Sequence, residues 1–265
     1  MLSPESFFSL EGWEYRDVFE GCEKVWEVLP RIKSYVQGKI KPNVNEIRRE
    51  FGATVARTCV IWEGRLLFDG FSIKLGDVTK KKFVVSNGQG PMEGAIVIFA
   101  GASLMDDEIE LRPGAVIEPG ALIKGPTIIG EYTDVRQGAY LRGSCLIGSQ
   151  CVVGHTTEVK NSIMLPGAKA GHFAYIGDSV LGRDSNLGAG TKLANLKIKG
   201  KEVFVKVDNE RVGTGLRKFG AILGDCVQTG CNSVTNPGTV VGPNSLICPC
   251  ISVPPAYHPP RSVIR

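Results

Sequence analysis

Apolar residues recur every six positions through the middle of the chain. The longest run comprises Phe99, Met105, Leu111, Ile117, Ile123, Ile129, Val135, Leu141, Ile147, Val153 and Val159. The phase slips by one residue at Met164 and again at Leu181, and the pattern returns after Leu223. A short, regular repeat of this kind is typical of a solenoid, in which stacked coils bury a continuous apolar interior.

The six-residue period predicts a triangular prism. Each hexad supplies one short strand and one corner, so three hexads close a coil of about 18 residues. Gly often follows the inward residue, as at Gly130 and Gly148, and the total of 33 Gly suits many tight turns. A leucine-rich repeat or a β-propeller has a longer period and is excluded. The expected fold class is therefore mainly β, a parallel β-helix with a small N-terminal α/β segment.

Three segments depart from the repeat. Residues 1–95 are predicted to form helical and β-hairpin structure, with the hairpin turning at Glu63-Gly64. One apolar helix face is expected from the spacing of Val18, Cys22, Val25, Leu29 and Ile32. The β-helix is predicted over 96–258, with a projecting insertion at 196–218, and residues 259–265 are expected to be a C-terminal tail.

Composition argues against several classes of partner. The formal net charge is +4, and Lys80-Lys81-Lys82 is the one basic block, so no nucleic acid is expected. The sequence has neither 18 consecutive apolar residues nor a signal peptide, so we expect no membrane and a cytoplasmic location. The eight Cys lack CxxC spacing and nearby His, which predicts reduced core thiols and no metal site.

Three cations share one position of the repeat. Lys124, Arg142 and Lys160 are 18 residues apart, and each directly follows an inward apolar residue. The prism geometry therefore predicts a column on one outer face, with about 4.8 Å between neighbouring strands. Stacked like charges repel unless an anion lies among them. The column is either a phosphate or carboxylate site or a set of solvated side chains, and spacing alone leaves both open.

His172 follows three small or flexible residues and precedes Phe173. A lone His is more often structural than catalytic, but small neighbours leave room for a ligand. A neutral imidazole there could take a proton from an attacking amine. A metal site of the solenoid carbonic anhydrase kind needs several His at short spacing, and this chain has only three His.

Residues 139–195 resemble the acetyltransferase domain of bacterial bifunctional glucosamine-1-phosphate acetyltransferases/uridylyltransferases. The matching stretches are 139–142 (AYLR), 157–160 (TEVK), 169–178 (KAGHFAYIGD) and 186–191 (NLGAGT). Residues 194–225 are more similar to archaeal sugar-1-phosphate nucleotidylyltransferase/acetyltransferases, which also carry an insertion at this point. The resemblance covers roughly residues 97–255, and it implies a left-handed coil.

The resemblance also implies a role for each matching residue. His172 would be the general base. The residues that would bind the sugar phosphate are Arg142, Lys160, Tyr175, Asn186, Asn195 and Lys201. The residues that would flank acetyl-CoA, the cosubstrate, are Gly190, Gly230, Cys231 and Pro249. The family works as a homotrimer with the thioester in a groove between subunits, and no metal is needed for acetyl transfer.

The implied function is an acetyl-CoA-dependent N-acetyltransferase of an amino-sugar 1-phosphate, in the synthesis of nucleotide-sugar precursors. Residues 1–95 contain no Gly-rich phosphate loop, so nucleotidyl transfer is not expected. Leu196 stands where the bacterial enzymes have an aromatic residue, so the sugar is expected to differ. Two alternatives stay open: a non-catalytic sugar-phosphate-binding protein, and a structural scaffold that would have no use for the polar cluster.

Overall fold

The computed structural model describes residues 2–265, and three long sheets run along a parallel β-helix. Sheet 1 consists of Ile96–Ile98, Val116–Ile117, Asp134–Val135, Val152–His155, Lys169–His172, Asn186–Leu187, Gln228–Thr229, Leu246–Ile247 and Val263–Ile264. Sheet 2 consists of Ser103–Leu104, Leu122–Ile123, Tyr140–Leu141, Glu158–Lys160, Tyr175–Gly177, Lys192–Leu193, Val234–Thr235 and Ser252–Val253. Sheet 3 consists of Ile109–Leu111, Thr127–Ile129, Cys145–Ile147, Ser162–Met164, Val180–Leu181, Ala221–Leu223, Thr239–Val241 and Tyr257–His258. The predicted fold class is confirmed.

The hexad positions form the interior of the prism. Ile123, Leu141 and Val159 are in register on sheet 2, and each is fully buried. The first two members of the predicted run are wrong, because Phe99 is half-buried and Met105 is 40% exposed. Ile98 and Leu104 take the inward positions instead, each paired with an inward isoleucine of the next coil. The strand ending at Ile98 also pairs with the N-terminal hairpin, and this first coil does not keep the six-residue step.

Both predicted phase slips are confirmed. Met164 pairs with Ile147 on one side and Leu181 on the other, so the two coils are one residue shorter without a break in the sheet. The inward Thr229 lies in register with Leu187, and its hydroxyl meets that of Thr191 at 2.8 Å. A polar residue is therefore accommodated inside the prism because another hydroxyl satisfies it.

The helical part of the N-terminal segment is broken into pieces. Three 3₁₀ turns, Pro4–Ser6, Arg16–Phe19 and Val25–Arg31, precede two short α-helices, Ile32–Lys39 and Asn45–Phe51, and a further 3₁₀ turn covers Val78–Lys80. The single apolar helix face predicted from residue 18 to residue 32 is therefore wrong. Gly21, at φ +70°, interrupts the chain between the second and third turns. Four of the five predicted face residues are nevertheless buried, and Cys22 is half-buried.

The N-terminal segment covers the outer surface of sheet 3. The outward residues of that sheet are Ile128, Leu146, Ile163, Val180, Ile222 and Val240, and all are fully buried. They pack with the aromatic and aliphatic side chains Phe7, Phe8, Trp13, Trp26, Leu29, Ile32 and Val36. Burial of this apolar area, at about 25 cal/mol per Å², holds the segment on the solenoid. We call residues 2–40 the sheet 3 cover.

The predicted hairpin is confirmed as Cys59–Trp62 paired with Arg65–Leu67. Its first strand also pairs antiparallel with Ile96–Ile98, so the hairpin extends sheet 1 beyond the first coil. A separate small sheet of Ser72–Lys74, Val84–Asn87 and Gly90–Pro91 packs beside it. The hairpin and small sheet together close the N-terminal end of the prism.

The insertion and the C-terminus complete the solenoid. Leu196 and Lys218, the ends of the predicted insertion, form an antiparallel bridge, and the hairpin between them is Phe204–Val207 with Glu210–Gly213. The predicted tail at 259–265 is wrong, because Val263–Ile264 pairs in parallel with Leu246–Ile247 as a further coil. Within residues 2–265, every helix is too short or too polar to cross a bilayer.

The prediction of core thiols is only partly right. Cys59, Cys145 and Cys151 are buried, and burial raises the pKa of each thiol well above its ordinary value. Cys226, Cys231 and Cys250 are exposed at corners of the prism. The repeat places those three at corner positions, where side chains point to solvent.

Candidate active site

The predicted charge column lies on the outer face of sheet 2. Strand register places Lys124, Arg142 and Lys160 one above another, and the backbone N–H of each of the first two donates to the next strand at 2.8–2.9 Å. The next position of the column is Gly177, so the row of charges ends there. The alignment inferred from the 18-residue spacing is therefore confirmed.

Each cation of the column has a partner within the chain. Arg142 forms an ion pair of 2.8 Å with Glu158, which raises the pKa of the Arg142 guanidinium. Lys160 pairs with Asp178 at 3.2 Å, and the Lys124 ammonium lies 5.5 Å from the centre of the Tyr140 ring. The chain itself thus relieves the repulsion that the sequence predicted.

Sequence reasoning missed the two carboxylates among the site residues. Glu158 lies two residues before Lys160 on the same outward side of its strand, and Asp178 lies 18 residues after Lys160. The period that identified the cations would also have identified these acids. Alternate residues of a strand share a face, and one coil returns the chain to the same corner.

Asp178 is the centre of a hydrogen-bond network. Its side chain is 7% exposed, and it accepts from Asn161 Nδ2 at 2.9 Å, from Lys160 Nζ and from Asn195 Nδ2. Asn195 Oδ1 in turn accepts from the Tyr175 hydroxyl at 3.3 Å. Three of the predicted substrate-binding residues, Lys160, Tyr175 and Asn195, are thereby joined through one carboxylate.

Tyr175 and Asn195 close over a glycine. A Cβ at Gly177 would lie 2.6 Å from the Tyr175 hydroxyl and 2.7 Å from Asn195 Nδ2, so no larger residue fits below these side chains. Tyr175 is half-buried, and burial, followed by the nearby Glu158 carboxylate, raises the pKa of its hydroxyl. Tyr175 is therefore held as a neutral hydrogen-bond donor over a backbone floor.

His172 lies at the corner where sheet 1 turns into sheet 2, and its side chain is exposed. The backbone N–H of Gly190 donates to the His172 carbonyl at 3.0 Å, which places the two residues in successive coils of the same corner. Cys231 follows one coil later. Gly230 lies tightly against Pro249 of the coil after that. The predicted base and the predicted acetyl-CoA residues therefore share one edge of the prism, which we call the 1–2 edge.

Aromatic rings flank His172 along this edge. The Phe173 ring centre lies 6.3 Å from that of His172 and 5.2 Å from that of His155, and Phe173 is 55% exposed. His155 Nδ1 is 3.0 Å from the Gln137 carbonyl. Within residues 2–265, no side chain forms a hydrogen bond with the His172 imidazole. The ring of His172 is thus accessible to a substrate amine, and no group of the described chain fixes its tautomer.

Two predicted site residues lie away from both groups. Asn186 is on the outer face of sheet 1, between Lys169 and Gln228 in the register. Lys201 is exposed in the insertion, which leaves the solenoid between sheets 2 and 3. A single chain therefore does not bring all of the predicted residues together, since they occupy sheet 2, the 1–2 edge, sheet 1 and the insertion.

The candidate site is an open surface in the single chain. The largest cavity among the described residues, about 650 Å³, lies at the opposite end of the solenoid near Arg49, Glu63 and Arg112. Residues 2–265 contain no group of three or more His, Cys, Asp or Glu arranged to hold a metal ion. The cavity and the predicted residues do not coincide, and the chemistry of the residues is the better guide to the site.

Comparisons with known proteins match the segment that carries these residues. Residues 123–214 match the family described as the GMPPB C-terminal domain. A bifunctional sugar-1-phosphate nucleotidylyltransferase/acetyltransferase from Sulfurisphaera tokodaii is 44% identical over 88 residues, which are 33% of this chain and 22% of that protein. The bifunctional protein GlmU of Stutzerimonas stutzeri is 28% identical over 198 residues, 71% of this chain and 38% of that protein. The predicted resemblance is confirmed.

The chain thus has relatives among the bifunctional sugar-1-phosphate nucleotidylyltransferase/acetyltransferases, and it spans only 22% and 38% of the length of the two named above. Among solved structures, the UDP-N-acetylglucosamine acyltransferase from Campylobacter jejuni is 18% identical over 63% of this chain and 69% of that chain, with a TM-score of 0.27. The family match includes the charge column, His172, Tyr175, Asn186, Asn195 and Lys201. Gly230, Cys231 and Pro249 lie beyond it.

Proposed function

We propose that the chain transfers an acetyl group from acetyl-CoA to the amine of an amino-sugar 1-phosphate. The observation that carries the proposal is the adjacency of two chemistries on one prism. His172 stands exposed on the 1–2 edge, and sheet 2, which begins at that edge, presents Arg142, Lys160, Tyr175 and Asn195. Kinship with proteins named as acetyltransferases supports the same reaction class.

In the proposed reaction, His172 acts as the general base. Its neutral imidazole takes a proton from the sugar amine as the amine nitrogen attacks the thioester carbon. The carbon–sulfur bond then breaks, and the CoA sulfur leaves with the bonding electrons and acquires a proton. Backbone N–H groups of the 1–2 edge, in the coils of Gly190, Gly230, Cys231 and Pro249, would line the acetyl-CoA groove and serve the developing oxyanion.

The phosphate of the substrate would bind at the charge column. Arg142 is exposed and Lys160 half-buried, so both can turn toward a ligand. Their present partners, Glu158 and Asp178, make the group of four side chains neutral. A phosphate must therefore compete for the cations, and binding rests on charge-assisted hydrogen bonds rather than on a bare positive field.

We propose that the working assembly is a homotrimer in the cytoplasm. Asn186 and Lys201 lie away from His172 within one chain, so a neighbouring copy would bring them to the site. Threefold association through the faces left open by the sheet 3 cover would complete it. Light scattering is expected to give about three times the 28.5 kDa chain mass, and a stable monomer at assay concentration would refute the trimer.

An acetyl-CoA turnover assay against a panel of amino-sugar 1-phosphates tests the function. Release of CoA thiol is expected with an amino sugar and not with the matching sugar 1-phosphate that has a hydroxyl in place of the amine. The alternative is a non-catalytic sugar-phosphate-binding protein, which the paired state of Arg142 and Lys160 does not exclude. Calorimetric binding of the sugar phosphates without thiol release would favour that alternative.

A further inference from the structure

Asp178 is a nearly buried carboxylate at the corner between sheets 2 and 3. Its residue exposure is 5%, and its backbone is in the left-handed region at φ 47°. A carboxylate removed from water at this depth needs several hydrogen bonds. Side-chain amides and one ammonium provide them, since Asn161, Asn195 and Lys160 all donate to it.

The contact distances separate the permanent partners from the exchangeable one. Asn161 and Asn195 each donate to a different oxygen, and the Asn161 bond is 2.9 Å long. Lys160 Nζ lies farther away, 3.2 and 3.4 Å from the two oxygens. If Lys160 turned toward another anion, both oxygens of Asp178 would keep an amide donor. The arrangement holds Lys160 ready without requiring it for the fold.

Asn195 passes the constraint on to Tyr175. With its Nδ2 donating to Asp178, the Oδ1 of Asn195 has to face the Tyr175 hydroxyl, from which it accepts a hydrogen bond of 3.3 Å. Without Asp178 the amide could rotate and offer its NH₂ group to Tyr175. The carboxylate therefore fixes which hydrogen-bonding group each of these side chains turns outward.

We infer that Asp178 is a positioning residue for the proposed acetyl transfer, one that holds Lys160, Asn195 and Tyr175 as a single substrate-binding unit. The inference rests on the proposed function. Asp178 touches no reacting atom and acts only through these three side chains. A merely structural reading would ascribe its presence to the left-handed corner, which Asp tolerates. Asp184 occupies such a corner at φ 53° with an exposed side chain that forms no ion pair among the described residues, and it is the matched control.

The test is the variant Asp178→Asn, which keeps the shape of the side chain. Its new NH₂ group would face one of the two amide donors, so at least one bond of the network is lost. We expect kcat/KM for the amino-sugar phosphate to fall about tenfold or more, with the KM for acetyl-CoA unchanged. Asp184→Asn should leave both unchanged. A fall of equal size in both substrates, or no fall, would overturn the inference.

A double variant, Asp178→Asn with Asn195→Asp, separates positioning from simple loss of charge. The new amide at position 178 can accept from Asn161 and donate to the new carboxylate at position 195. That carboxylate can still accept from the Tyr175 hydroxyl, so all three hydrogen bonds are restored with the negative charge moved across the network. We expect part of the lost kcat/KM to return. A double variant as poor as Asp178→Asn would mean that the network does not position the substrate.

A structural readout keeps this inference distinct from the proposed function. If the wild-type protein releases no CoA thiol with any amino-sugar phosphate, the proposed function fails. A crystal structure of Asp178→Asn would still show whether Asn195 and Tyr175 change position. Displacement of either side chain with the corner backbone intact supports the positioning role. An unmoved pair of side chains overturns it.

Discussion

Sheets 2 and 3 have the same strand geometry and opposite surroundings. On sheet 3 the outward residues are aliphatic and lie under the sheet 3 cover. On sheet 2 the same positions carry Tyr140, Glu158, Tyr175 and Lys192, and they remain open. The inward hexad residues on the two sheets are alike. The repeat therefore specifies the interior alone, and the outward positions tell what each face contacts.

The difference also separates stability from chemistry within one coil. A residue that faces the cover contributes apolar burial, whereas a residue on open sheet 2 contributes hydrogen bonds and charge. Changes on sheet 3 should therefore alter the free energy of unfolding, and changes on sheet 2 or on the 1–2 edge should alter kinetics. The predictions below test that separation.

The largest effect is expected for His172→Ala. If His172 takes the amine proton, turnover should fall by roughly 10² to 10⁴. The melting temperature should stay the same, because the side chain is exposed and makes no hydrogen bond within the described chain. His155→Ala, one coil earlier on the same edge, is the control and should retain activity. Full activity in folded His172→Ala would remove this residue from the mechanism.

The next largest effect is expected on the covered face. Trp26 is 1% exposed and packs against Phe219, with ring centres 6.0 Å apart. Trp26→Ala should lower the free energy of unfolding by about 3–5 kcal/mol, measured by urea denaturation. The KM values of the protein that remains folded should not change. Leu75→Ala, at a side chain 74% exposed, should shift stability by less than about 0.5 kcal/mol.

Removing a cation of the column should weaken substrate binding by a smaller amount. A charge-assisted hydrogen bond contributes roughly 1.5–3 kcal/mol, so Arg142→Ala and Lys160→Ala should each raise the KM for the sugar phosphate about tenfold or more. Steady-state kinetics measures this, with Lys169→Ala on sheet 1 as the matched control. Unchanged KM in both variants would leave the column as surface charge and contradict the phosphate site.

The smallest effect is expected for Lys124→Ala. This residue begins the column, is farthest along the axis from His172, and contacts only the Tyr140 ring among the column's partners. Loss of an exposed cation–π contact costs about 0.5–1 kcal/mol, so the melting temperature should change by a few degrees at most and KM should stay constant. A rise in KM as large as that of Lys160→Ala would extend the phosphate site by a full coil.

The sequence predicted the parts of the molecule that follow from the period. The prism, both phase slips and the alignment of the charge column depend only on the number of residues per coil, and strand register preserves that number. The first coil broke the rule because Ile96–Ile98 pairs with an antiparallel hairpin as well as with its parallel neighbour. Periodicity cannot report a partner strand from outside the repeat.

Side-chain partners were less accessible to prediction. The spacing that aligned Arg142 and Lys160 says nothing about which rotamer they adopt, so their pairing with Glu158 and Asp178 emerged only from the structure. The broken helix of the sheet 3 cover was likewise hidden, because its apolar residues are spaced as in a helix while Gly21 ends the turn. The predicted roles of the individual site residues stay predictions until the variants are measured.

The sheet 3 cover has a consequence for how the molecule unfolds. Stacked coils touch only their neighbours, so a bare solenoid can fray from either end in small steps. Residues 2–40 contact outward side chains of six coils, from Ile128 to Val240, and so connect coils that do not otherwise meet. Opening any one of those coils exposes part of the same apolar cluster. Denaturation should consequently be a single cooperative transition over these coils, despite the one-dimensional architecture.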